Sequence, residues 1–302
     1  MRLSKLSLWV IIFILLITNI TTLLFSKGNT EIALDDESVI HQKKPLATIE
    51  NEKIKYEEWL DLLTRGYGEK VLTEMVNQEV VFQLAEQEEL EIDSKIVERE
   101  IARLLIMQGV LTEEERKSLQ EKWTEQIKYR YYMKALLTRD VEVSDSEVKQ
   151  YFQTYENQYQ FEEVVQLSHI VVSSEAEADE AYQKLESGAS FTDVAQEYSM
   201  DEETASEGGY LGYYTETNSF IPPEYFHETL AMDEGTFSQP IRTDQGFSIV
   251  FLHHHIPAVN VSYEEAYQEV KQDLALDQMD QNLDPELLWE ELEVTTVLDK
   301  ND

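Results

Sequence analysis

The stretch VVQLSHIVVS, Val164 to Ser173, sets an imidazole in the middle of an apolar strand. Side chains alternate faces along a strand, so His169 shares a face with Val165, Leu167 and Val171. A ring in that place is either a core histidine with both nitrogens satisfied or a group placed there for its chemistry. Two other stretches compete for attention. The triplet His253 to His255 could hold a metal, but adjacent strand residues point to opposite faces, and no partner stands at ligand spacing. It reads as a frayed strand end. GGYLGYY, Gly208 to Tyr214, lacks the lysine and helix start of a phosphate-binding loop, so its glycines read as positive-φ positions in a tight crossing. Carboxylates are too numerous for any pair to stand out as acid and base.

That abundance is itself informative. The chain has 302 residues, with 61 acidic against 24 basic side chains and a net charge of −37. Such a surface repels phosphate backbones, which argues against a nucleic-acid partner. A hydrophobic share of 42% still suffices for a sizeable core. There is no cysteine, so disulfides, thiol nucleophiles, thiolate metal sites and a lipid-acceptor thiol are all excluded.

Leu6 to Phe25, LSLWVIIFILLITNITTLLF, is an uncharged run long enough to cross a bilayer as a helix. Arg2 and Lys5 precede it and acidic residues follow. This predicts a single-pass anchor in the cell membrane, N-terminus cytoplasmic and everything after Ser26 extracytoplasmic. A cleaved signal peptide is the rival reading, favoured by Asn19 and the nearby threonines, but no small-residue cleavage site follows.

The elements that must position the histidine follow in order. After the anchor (1–26) comes a polar, acidic linker (27–44). Residues 45–162 read as a helical lobe: a strand-turn-strand, then a helix with an apolar stripe at Val71, Leu72, Met75, Val76, Val80 and Leu84. A helix from Ser94 to Met107 follows. Capping boxes at Thr112/Glu115 and Ser144/Glu147 open two more. Residues 163–256 change character, to strand, two helices, a glycine-bearing loop, a proline-led helix and two final strands turning at DQG. Residues 257–302 return to helix behind Ser262/Glu265, ending in a strand-like EVTTVL. Leu274, Leu287 and Leu288 are expected to pack back on the first lobe.

The segments LSHIVV, FTDVAQEYSMD, GGYLGYY and EGTFSQPIRTDQGFSIVFL, in this order and spacing, resemble the parvulin family of peptidyl-prolyl cis-trans isomerases. The flanking lobe looks like the chaperone lobe of membrane-attached extracytoplasmic foldases of the PrsA and SurA type. The resemblance implies an α+β fold: a parvulin-like domain, an antiparallel sheet with surrounding helices, inserted in a mainly α-helical chaperone lobe behind an N-terminal transmembrane helix. It places His169 at the floor of the active site and Asp201 where the family has Asp or Cys. Leu211, Ile221 and Tyr225 fall on its apolar proline pocket, Ile221 and Tyr225 standing where Met and Phe are usual. One departure is larger. Ser248 stands where the family has a second histidine paired with the first, which leaves Gln245, Thr243 or a water as candidate partners for His169.

The implied activity is prolyl isomerisation of unfolded or newly secreted polypeptides carrying X-Pro bonds, with no cofactor or metal. The sequence leaves a homodimer open. Two other functions are compatible with it: a holdase whose parvulin domain binds peptides with little or no turnover, and a structural or signalling ectodomain that reuses the fold.

Overall fold

The computed structural model describes residues 31–33, 39–218, 220–279 and 283–298. The expected anchor, Leu6 to Phe25, lies outside them; among the described residues no helix is long and apolar enough to cross a membrane. Internal contacts divide the chain into two units, Met1–Val76 with Thr295–Asp302, and Asn77–Val294.

In the first unit β1 (Glu31–Ala33) pairs with β2 (Val39–His41), and β3 (Ala47–Ile49) with β4 (Glu52–Ile54), both antiparallel. Helix α1 (Tyr56–Gln87) contributes residues to both units. Its stripe is not uniformly covered. Leu60, Leu62, Leu63, Tyr67, Val71 and Met75 are exposed, whereas Val80, Val81, Leu84 and Ala85 are buried.

The second unit has a helical part and a sheet part. Helices α2 (Ser94–Leu105), α3 (Glu113–Thr138), α4 (Asp145–Tyr155) and the late α9 (Tyr263–Gln278) enclose one core, built on Ile96, Trp123, Ile127, Val148, Phe152, Ala266 and Val270. The boxes at Thr112/Glu115, Ser144/Glu147 and Ser262/Glu265 all form, each closing two backbone groups left open by the helix start. Arg99 of α2 is 1% exposed and grips Glu269 of α9 through two bonds of 2.6 and 3.1 Å. A buried guanidinium without that carboxylate would cost several kcal/mol, roughly 3–5. Among the described residues the expected terminal strand is not formed: residues 294–298 join no ladder, and a 3₁₀ turn over Pro285–Glu291 precedes them. That turn buries Leu288 but leaves Leu287 exposed.

The sheet part runs from β6 (Val164–Val172) to β10 (Gly246–Ile256). Its helices are α5 (Glu175–Glu186), α6 (Phe191–Tyr198), α7 (Glu202–Ala205) and α8 (Pro223–Thr229). Strands β7 (Tyr210–Thr215), β8 (Thr236–Phe237) and β9 (Ile241–Thr243) complete an antiparallel sheet of order β7-β6-β10-β8, with β9 also on β10. All nine residues of β6 are buried, as expected of a strand with both faces covered. Just outside the sheet, β5 (Gln160–Phe161) pairs antiparallel with β11 (Val259–Asn260), joining the entry and exit of the inserted stretch. The side chain of Gln160 tightens that join, donating to the Val261 carbonyl at 3.0 Å and accepting from its N–H at 2.9 Å.

Candidate active site

Alternation splits the central strands between two environments. Ile170 and Val172 of β6, with Ile249 of β10, face α5 and α6 and pack on Ala178, Ala181, Leu185 and Val194. Val165, Leu167, Val250 and Leu252 face α8 and pack on Ile221, Tyr225 and Phe226. His169 belongs to this second face, directly opposite Val250, with Ser248 one diagonal step away opposite Val171.

His169 is 9% exposed, and its ring is held at both nitrogens. Nε2 lies 2.7 Å from Asp201 Oδ2, and Nδ1 lies 3.1 Å from the Tyr225 hydroxyl. The backbone is held as well. The His169 N–H donates to the Gly209 carbonyl at 2.8 Å, so the glycine loop lies directly against the strand. Gly209 has φ of +74°, and a Cβ there would fall 1.9 Å from the His169 carbonyl oxygen. Only glycine fits that approach.

Asp201 is the N-cap of α7 and accepts from the Glu203 N–H at 3.3 Å. Thr204, three residues on, donates its hydroxyl to Asp201 Oδ2 at 2.6 Å. Burial opposes ionisation of this carboxyl, but the hydroxyl of Thr204 and the imidazole more than offset it, leaving Asp201 below the usual carboxylate range. Burial likewise lowers His169 below its ordinary value, with Asp201 pulling the other way. Tyr225, buried, is pushed up to about 12 and keeps its proton at every physiological pH.

The structure therefore brings together His169, Asp201, Tyr225 and Ser248, with Leu211 and Ile221 on the apolar wall. Met232 packs against that wall too. Gln245 is not part of the cluster. It is exposed at the β9–β10 turn, where its N–H donates to Thr243 Oγ1 at 3.3 Å, so neither residue becomes the partner of His169. That partner is Tyr225. The positive φ of Gly209 agrees with the tight crossing expected of the glycine loop; Thr204 was not expected here, and a threonine three residues after a helix-capping aspartate is the signal that marks it.

The histidine triplet is not frayed. It lies within β10: His253 sits at a bulge, His254 and His255 pair with Gln166 and Val165, His254 lies against Glu234 and Arg116, and His255 Nε2 is 2.7 Å from Glu163 Oε1. Among the described residues, no group of three or more His, Asp or Glu side chains converges as a metal site.

A sheet of this order, with a histidine and an acid beneath an apolar wall, defines a proline-isomerase type of domain. Residues 143–268 match the family described as PPIC-type PPIASE domain. The chain is 34% identical over 251 residues to Bacillus subtilis (strain 168) YacD, whose name describes a peptidyl-prolyl cis-trans isomerase, covering 83% of this chain and 84% of that one. It is 30% identical over 185 residues to Foldase protein PrsA of Caldanaerobacter subterraneus subsp. tengcongensis, covering 60% of this chain and 55% of that one. Superposition on the crystal structure of PrsA from Bacillus subtilis covers 83% and 91% of the two chains at 21% identity, with a TM-score of 0.29. The chain belongs to the parvulin, or PPIC-type, family of peptidyl-prolyl cis-trans isomerases.

Proposed function

We propose that this chain is a foldase that isomerises X-Pro bonds in polypeptides outside the cytoplasmic membrane, tethered there by Leu6 to Phe25. The observation that carries the reading is the line Tyr225–His169–Asp201 at the foot of the apolar wall. Prolyl isomerisation breaks no bond; its barrier of about 18–20 kcal/mol is the amide resonance lost on twisting. Twisting makes the carbonyl less polar, so a dry pocket favours the twisted form over the planar one. Leu211, Ile221 and the ring of Tyr225 form that dry wall. The ionised Asp201 disfavours negative charge on a nearby carbonyl oxygen, and His169 holds the polar groups beneath it in place. None of this needs a cofactor or a metal.

Proline-limited refolding of a denatured client is the direct test, and a rate above the uncatalysed one is expected. Equality with the uncatalysed rate in a folded preparation would remove the isomerase reading. A second activity, holding unfolded chains, is supported by the exposed run Leu60, Leu62, Leu63, Tyr67, Val71 and Met75 on α1. Substituting Leu63, Tyr67 and Val71 with serine should weaken suppression of client aggregation while refolding catalysis of a short peptide persists. The tether is tested separately: protease added to intact cells should degrade the protein, and a mature N-terminus beyond Phe25 would show a signal peptide instead.

A further inference from the structure

The geometry points to Tyr225 and Ser248 as one positioning unit, a phenol and the buried hydroxyl beside it, that holds the Nδ1 side of His169 in both protonation states of the ring. This rests on the isomerase reading of the site and goes beyond it, because it assigns the contact through which His169 is kept in its working orientation.

The tautomer follows from the partners. An ionised carboxylate only accepts, so Nε2 of His169, 2.7 Å from Asp201 Oδ2, carries a proton. In the neutral ring Nδ1 is then the acceptor, and the Tyr225 hydroxyl at 3.1 Å donates to it. Tyr225 is buried and does not give up that proton in the physiological range, so the bond stands wherever the ring is neutral. When the ring takes a second proton, Nδ1 becomes a donor. The contact then survives only if the phenol accepts from Nδ1 and turns its own proton elsewhere.

Ser248 supplies the elsewhere. Its Oγ belongs to a residue that is 0% exposed, and it closes no hydrogen bond of acceptable geometry. A fully buried hydroxyl left unpaired is costly and calls for a physical reason. Ser248 is on the same face of β10 as Val250, which opposes His169 and packs with Tyr225, and it tempers the upward push that burial exerts on the phenol. It can receive the phenol's proton without water entering the site. The titratable groups that face His169 are Asp201, ahead of α7, and Tyr225, on α8; Thr204 Oγ1 completes the ring of neighbours at 3.4 Å from Nε2.

The two departures from the expected pattern thus converge on one nitrogen. A phenylalanine at 225 has no oxygen to reach Nδ1, and a histidine at 248 would crowd the hydroxyl that is there.

The experiment uses the full chain with 15N-labelled histidine and reads ring-nitrogen shifts of His169 alongside isomerase kinetics. Tyr225→Phe keeps the aromatic wall and removes the hydroxyl. Its expected effect is an about tenfold fall in kcat with KM unchanged, the loss of one orienting bond, and a shift at Nδ1. Ser248→His alone should lower activity, whereas Tyr225→Phe with Ser248→His should restore both kcat and the Nδ1 signal. Three results would overturn the proposal: Tyr225→Phe with wild-type kcat and an unchanged Nδ1 shift; a change in KM alone; or a folded double variant no better than Tyr225→Phe. If the wild type shows no turnover, the isomerase reading falls, and the nitrogen shifts of the same variants still decide the positioning claim.

Discussion

His169 and His253 are strand histidines of the same sheet, the first buried and the second half-buried, and they differ in what their rings meet. His169 has a side chain on each nitrogen, and one of these is a carboxylate. His253 sits at the bulge where the β10–β6 register shifts. Among the described residues its Nε2 meets the Ser168 hydroxyl, at 2.7 Å, and no carboxylate. Its ring lies edge-on to Phe251 at 4.8 Å and to Tyr210 at 5.7 Å, lining a groove of about 750 Å³. Burial alone pushes it down to about 4, so at neutral pH it is an uncharged aromatic surface. At His169 the same desolvation is opposed by Asp201. Burial alone leaves an imidazole uncharged; a carboxylate set against burial also fixes its tautomer and orientation.

The largest effect is expected at Gly209. Gly209→Ala forces a Cβ against the His169 carbonyl and holds an alanine at positive φ, a strain of about 1–3 kcal/mol before any displacement. The expected result is a lower unfolding midpoint together with loss of most activity, because the strand backbone under His169 moves while His253 does not. Wild-type stability and turnover would show that the loop yields without disturbing the strand.

Next come the histidines themselves. His169→Ala should cost roughly ten- to a hundredfold in kcat/KM, one or two orienting bonds. His253→Ala should leave kcat/KM near wild type and act on stability. Equal losses from both would mean that any sheet histidine matters only as packing. Asp201→Asn is milder: it keeps the shape and the Thr204 contact but lets the amide donate to Nε2, so the imidazole can adopt the other tautomer. An about tenfold fall in kcat is expected.

The smallest effect is on acid stability, and its sign is fixed by direction. His253 has a folded value of about 4 against an ordinary 6.5, so between those values the unfolded chain binds a proton that the folded chain refuses. Stability therefore falls as pH drops from 6.5 to about 4 and is unaffected by this group below that. His169 acts in the same sense just below 6.5, and Asp201, lowered from 3.8, adds its loss at still lower pH. In His253→Gln, which keeps a polar contact for Ser168 but does not titrate, the decline of the urea midpoint from pH 6.5 to 4 should be shallower. An unchanged slope would mean that His253 is solvated.

What sequence made legible was what short spacing controls. The boxes at Thr112, Ser144 and Ser262 form because partners three residues apart meet whenever a helix starts. The pairing of His169 with Asp201 was legible only through resemblance, since 32 residues separate them. The role of the Tyr225 hydroxyl was not legible. Its reach to Nδ1 depends on how α8 lies across the sheet, which no local pattern encodes, and the same is true of Gln245 turning outward. The other face of β6 is equally covered: Gln166 and Ser168 are polar, yet they are buried against Tyr210 and His253. The apolar stripe of α1 was legible as a face, and its exposure from Leu60 to Met75 was not, since periodicity does not say what covers a face.

The β5–β11 clasp has a consequence for the order in which the molecule is made. A chain emerging N-terminus first presents α2, α3 and α4 long before α9, and until α9 arrives Arg99 lacks Glu269 and the helical core lacks Ala266 and Val270. The sheet part is contiguous between the two halves of the clasp, so it can reach its native pairing on its own stretch of chain. When Val259 meets Phe161, the folded insert has already drawn two distant points together, and the loop that the helical lobe must close is short in space though long in sequence. The catalytic part is thus set to mature before the lobe that surrounds its attachment, so a slow step in the sheet would delay both.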